Sequence, residues 1–176
     1  MAKLKKQHMT IHWKAIVQDD SSIPATEATL KEKATLVGRI GLMMLSVGTG
    51  AWRVRNSMNK VSRCLGITCT ADIGLLAISY TCIEGTDTYT QSISLPTTGV
   101  NTHKLMELEL FMKEFPDKVS TYSVKHIHEV LDEIQKLPAN YQAWNLGLAS
   151  ALACGAFTFL LGGGPVEMCC AFLGAG

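Results

Sequence analysis

Between Lys136 and Glu167 the chain has no Asp, Glu, Lys or Arg. Within that gap residues 143–161 read AWNLGLASALACGAFTFLL, close to the ~20 apolar residues that carry an α-helix across a bilayer. Other absences narrow the function. The basic N-terminus, MAKLKKQHMTIHWK, lacks the apolar stretch of a secretory signal, so the six cysteines read as reduced thiols of a cytosolic setting rather than a disulfide framework. No Gly-x-Ser-x-Gly elbow is present. Gly48-Thr49-Gly50 follows a helical pattern instead of a strand, which excludes a dinucleotide loop. His126 and His128 are two apart on a helical stretch and face different sides, and His8 and His12 have no helical pattern around them, so neither pair makes a metal site. No cofactor is expected, and no nucleophile–base pair marks an enzyme.

All 16 Lys and Arg and 14 of the 15 acidic residues lie in the first 136 positions, a net +2 there (16 − 14). That near balance gives no electrostatic footprint for nucleic acid. The charge map divides the chain into an irregular segment over 1–25, a cytosolic domain over 26–139, a transmembrane helix over 140–161 and the start of a second over 165–176. The domain is placed on the cytoplasmic side of the cell membrane because Lys125 and Lys136 precede the apolar run and the loop after it carries no cation. On this reading the chain is part of a longer membrane protein, with the lipid bilayer and further helices as its partners.

Inside the domain, Leu36, Ile40, Met43 and Val47 recur at the spacing of one buried helical face, which predicts a helix over 26–47. Val54, Met58, Val61 and Leu65 predict a second over 52–65, ended by Gly66. The period then changes. Residues 67–72, 75–84 and 88–95 are rich in Ile, Thr and Tyr, as strands are, with a hairpin turn at Glu84-Gly85-Thr86-Asp87. Leu105, Leu108, Met112 and Phe115 mark a third helix closed by Pro116, and Val124, Ile127, Leu131 and Ile134 a fourth closed by Pro138. The predicted class is α+β, with helices flanking a small antiparallel sheet, followed by the transmembrane helix and the start of the second.

Three segments in order carry a resemblance: Gly48-Thr49-Gly50-Ala51-Trp52-Arg53-Val54 with Leu65-Gly66-Ile67; Leu95-Pro96-Thr97-Thr98-Gly99-Val100-Asn101; and Leu131 to Pro138, followed by Tyr141, Trp144 and Gly162-Gly163. Together they resemble the threonine/serine exporter family over residues 34–176. The resemblance implies a cytosolic domain before several membrane helices and proton-driven export of threonine and serine. It also implies a second hydrophobic half or a separate small membrane subunit as partner. Some relatives are associated with dicarboxylate export, so succinate stays open as a substrate. A membrane-tethered hydrolase-like domain and a regulatory or docking domain are the alternatives. Gly50 and Arg55 stand where many members have acidic residues, so no role for a carboxylate there carries over.

Arg53 and Arg55, near a helix N-terminus, can hold a carboxylate together with backbone N–H groups, and Asn101 matches the family pattern beside them. Each arginine can equally be a structural or solvated cation. Gly48, Trp52, Val54 and Gly99 are the structural members of the motifs. Glu167 is an acid at the start of an apolar helix, either a proton or substrate site or an interfacial residue favoured by the helix dipole. Ala143, Gly147, Ala151 and Gly155 form a small-residue stripe at i+4 steps that lets another helix approach closely.

Overall fold

The computed structural model describes residues 11–17, 23–138, 141 and 143–175. It divides into two compact units, Met1–Leu137 and Pro138–Gly176. Of the segment 1–25, positions 1–10 and 18–22 lie outside the described residues; Trp13–Ala15 and Ala25–Glu27 are short 3-10 turns, and Ile11, Trp13 and Ala25 are buried.

The first unit is built around helix α1, Leu30–Ser46. Thr29 starts it with a capping box: the Glu32 N–H donates to Thr29 Oγ1, and the Thr29 N–H donates to the Glu32 carboxylate at 3.0 Å. Every residue from Glu32 to Leu45 is buried, so this helix is enclosed on all sides. Two glycines permit that. A Cβ on Gly38 would lie 2.6 Å from Tyr80 Cε1, and one on Gly41 2.6 Å from Met58 Sδ. The sheet and the next helix therefore press directly on the α1 backbone.

Helix α2, Ala51–Cys64, packs Val54, Met58 and Val61 inward. Strands β1 (Thr68–Ile73), β2 (Ala77–Glu84) and β3 (Asp87–Ser94) form an antiparallel sheet in the order β1-β2-β3. Cys69, Ile78, Tyr80, Cys82 and Ile93 point into the core. The outer face carries the cross-strand hydroxyl pairs Ser79–Ser92 and Thr81–Thr90. The β2–β3 hairpin closes at Glu84–Asp87 with Gly85 at φ 60°, a turn that a glycine makes without strain. Buried Lys33 of α1 holds Glu84 at 2.6 Å.

Helices α3 (Thr102–Lys118) and α4 (Val124–Lys136) complete the unit, capped by the side chains of Asn101 and Ser123. Pro116 does not close α3 but lies within its last turn. Its missing N–H would have bonded the Met112 carbonyl four residues back. Lys60 Nζ donates to that carbonyl instead, at 2.6 Å.

The second unit is a helical hairpin of α5, Ala143–Leu160, and α6, Pro165–Ala175. Here the expected transmembrane helix over 140–161, and the start of a second over 165–176, must be corrected. Among the described residues no helix is long and apolar enough to cross a membrane. Helix α5 has 18 residues, about 27 Å at 1.5 Å per residue, against the ~30 Å hydrocarbon layer. The chain turns at Gly162, φ 86°, and α6 has only 11 residues. The fold is an α+β unit and a short helical hairpin.

Candidate functional site

The end of α1 and the starts of α2 and α3 meet at one junction. Gly48, at φ 80°, turns the chain out of α1; its N–H bonds the Leu45 carbonyl at 3.1 Å. A side chain there would be strained and would meet Val100 Cγ2 at 3.2 Å. The segment from Leu95 to Asn101 supplies the remaining donors. Thr98 Oγ1 donates to Leu45 O at 2.8 Å, Gly99 N to Ser46 O at 3.2 Å and Asn101 N to Val47 O at 3.3 Å. Carbonyls that α1 leaves without an intrahelical partner are thus satisfied. Two segments about fifty residues apart in the chain are joined, and their glycines and asparagine act through the backbone.

Arg53 projects from the first turn of α2. Its Nη2 lies 2.5 Å from Glu109 Oε1 of α3, with both side chains about half exposed, and its guanidinium is 5.9 Å from the Trp52 ring centroid. The pair stands in an open groove of about 310 Å³ lined by Met44, Trp52, Arg53, Asn56, Ser57, Lys60, Glu109, Met112 and Lys113. Three cations and one carboxylate therefore face the same space, with an indole and two amide or hydroxyl groups beside them. A small solute bearing a carboxylate can be held by such a set, and Glu109 can take an ammonium.

The other expected site residues lie elsewhere. Arg55 turns away and donates to Ala71 O of β1 at 3.2 Å. Asn101 Oδ1 accepts from the Lys104 N–H at 3.0 Å as the α3 cap and is not a groove residue. Val54 is fully buried, whereas Trp52 is exposed. Glu167 is exposed in the first turn of α6. In the hairpin, Ala151 is buried and a Cβ on Gly155 would stand 3.7 Å from Met168 O and 3.8 Å from Phe172 Cβ, so this part of the small-residue stripe faces α6. Gly147 is half-buried.

Lys60, Glu109 and Lys113 carried no sequence signal, because their relation to Arg53 exists only once α3 lies along α2. A second polar cluster was also invisible. Arg39, in the middle of α1, pairs with Asp132 of α4. It also donates to His128 O at 2.8 Å and lies 3.1 Å from His128 Nδ1. Trp13 stacks on the His128 ring, with centroids 4.8 Å apart. Burial, and then the Arg39 charge, push the His128 pKa down to about 3. For Asp132 burial opposes ionisation, but the Arg39 bond and charge outweigh it and hold the carboxyl below its ordinary value. Arg39 and His128 are buried and Asp132 is partly exposed, and the cluster ties α1 to α4.

No curated protein and no solved structure matches the chain. A family sequence model described as "Putative threonine/serine exporter" matches residues 35–176. That span takes in both the junction and the groove, and the chain belongs to the threonine/serine exporter family.

Proposed function

We propose that this chain takes part in exporting threonine and serine, and that the groove between α2 and α3 is where it meets the solute. The supporting observation is the convergence of Arg53, Lys60, Lys113 and Glu109 on one open space. An amino acid offers a carboxylate to Arg53 and Lys113 and an ammonium to Glu109. A threonine or serine hydroxyl lies within reach of Asn56 and Ser57. The excess of cations over carboxylates favours the carboxylate end, which keeps succinate as the competing solute. The Met1–Leu137 unit works on the cytoplasmic side of the cell membrane, in line with its free thiols. Further membrane helices of the same protein, or a separate small membrane subunit, supply the spanning path, and the proton gradient drives the step.

The test is efflux of labelled threonine, serine and succinate from preloaded cells carrying the intact gene and any partner subunit, beside Arg53→Ala and Lys113→Ala versions. Threonine and serine efflux that collapses in both variants, at unchanged protein level, is the expected result. Succinate efflux alone changes the substrate. Full efflux from both variants removes the groove from the path.

A further inference from the structure

The sheet holds two thiols in a position fixed by strand register. The Gly74 N–H donates to Ala77 O at 2.8 Å, which makes Gly74–Ala77 a hydrogen-bonded pair at the end of the β1–β2 hairpin. Hydrogen-bonded and non-hydrogen-bonded pairs alternate along an antiparallel ladder. Through the successive pairs Ile73–Ile78, Asp72–Ser79, Ala71–Tyr80 and Thr70–Thr81, the alternation reaches Cys69–Cys82 at a non-hydrogen-bonded position. Residues so placed have Cα atoms about 4.5 Å apart, within the ~4.4–6.8 Å range that a disulfide spans. Both side chains point to the inner face, Cys69 with 7 % of its surface exposed and Cys82 with none. Cys69 Sγ donates to Thr70 O at 3.8 Å; the neighbouring Cys82 eases ionisation of Cys69, while Cys69 and burial raise the Cys82 thiol. Cys154, Cys169 and Cys170 are exposed on the helical hairpin, and no strand register sets any two of them face to face.

We propose that Cys69 and Cys82 form a reversible oxidation site, at which a hydroperoxide converts the two thiols into a cross-strand disulfide. The Cys69 sulfur attacks the peroxide oxygen, the O–O bond breaks, and a sulfenic acid and one water (or alcohol) result. The Cys82 sulfur then displaces the hydroxyl, which leaves as water with the Cys82 proton, and the S–S bond closes. Two electrons pass from the thiols to the peroxide, and a dithiol reductant restores them. No strand has to move, because the register already holds the sulfurs opposite one another. A transient disulfide of this kind fits a reducing compartment, where cysteine pairs that oxidise serve as sensors.

The test uses the full-length chain treated with hydrogen peroxide, quenched, and alkylated under denaturing conditions. No Lys or Arg lies between the two cysteines, so the chain is cut before Asp72 and Asp87 with an aspartate-directed protease. The expected product is the peptide holding Cys69 joined to the peptide holding Cys82, lighter by two hydrogens than their sum and separated by dithiothreitol. A version with Cys64, Cys154, Cys169 and Cys170 replaced by Ser carries only the pair, and its alkylation should fall from both sulfurs to neither while it stays monomeric. The proposal is overturned if Cys69 and Cys82 both remain alkylatable after the exposed thiols are consumed. Recovery of Cys69 as a sulfinic acid beside an alkylated Cys82 would also overturn it.

Discussion

Lowering the pH from 7 to 5 should weaken the fold by about 2 kcal/mol through His128 alone. The ring is fully buried. Its Nδ1 accepts from Arg39 Nη1 at 3.1 Å, so the imidazole is neutral and carries its proton on Nε2. Its pKa in the fold is about 3, against an ordinary value of 6.5. A group whose folded pKa is depressed gives stability that is whole above the unfolded value and is lost as pH falls towards the folded one. In this window the unfolded chain takes up a proton that the folded chain refuses. With 1.36 kcal/mol per pKa unit, the loss is about 0.7 kcal/mol from pH 7 to 6 and about 1.2 kcal/mol from 6 to 5. A folded pKa one unit higher changes the sum by less than about 0.1 kcal/mol, so the figure rests on burial and not on the last unit. Asp132 is not involved here, because its ordinary value of 3.8 lies below pH 5. The assay is urea unfolding of the whole chain followed by circular dichroism. At a slope of about 2 kcal/mol per molar, the midpoint falls by about 1 M between pH 7 and 5. His128→Phe is the control: it keeps a ring against Trp13 and leaves Arg39 its bond to the backbone carbonyl. Its midpoint should fall by about 1 M less than that of the parent chain over the same window. Equal losses in the two proteins would refute the account.

Gly38→Ala forces a methyl against the Tyr80 ring and should cost about 1–3 kcal/mol. An unchanged thermal midpoint would show that α1 and the sheet are not in backbone contact there. Asn101→Ala removes the α3 cap and should cost ~1 kcal/mol while leaving efflux per folded molecule intact. Efflux abolished at full stability would make Asn101 a solute contact and not a cap.

The first unit was legible where one periodicity governed the chain. The 3–4 spacing of Leu36, Ile40, Met43 and Val47 marks α1 by one face, though it does not show that the helix is enclosed on every side from Glu32 to Leu45, and the two-residue turn at Gly85 fixes the β2–β3 register. Pro116 misled because its broken bond is made good from another helix: Lys60 reaches the Met112 carbonyl. Nothing in the order of residues shows that donor. Arg39 is buried against His128 and paired with Asp132, and charges this far apart in sequence pair only after packing. Arg53 stood out by its family motif, while Glu109 and Lys113 did not, since a groove wall is a property of two helices. The hairpin misled for a different reason. An apolar count runs on through Leu161, whereas the helix ends at Leu160 and Gly162 turns the chain.

The junction that ties Thr98, Gly99 and Asn101 to the end of α1 has a mechanical consequence. Helices α2 and α3 carry the two walls of the groove, and both set out from this knot. Their near ends cannot slide past one another without breaking the bonds to Leu45, Ser46 and Val47. Beyond the knot two side-chain contacts join the walls, Arg53 to Glu109 and Lys60 to the Met112 carbonyl. A solute that takes Glu109 from Arg53 removes one of these two contacts. The knot and the Lys60 bond do not involve Glu109, so losing that contact leaves the near ends of both helices tied.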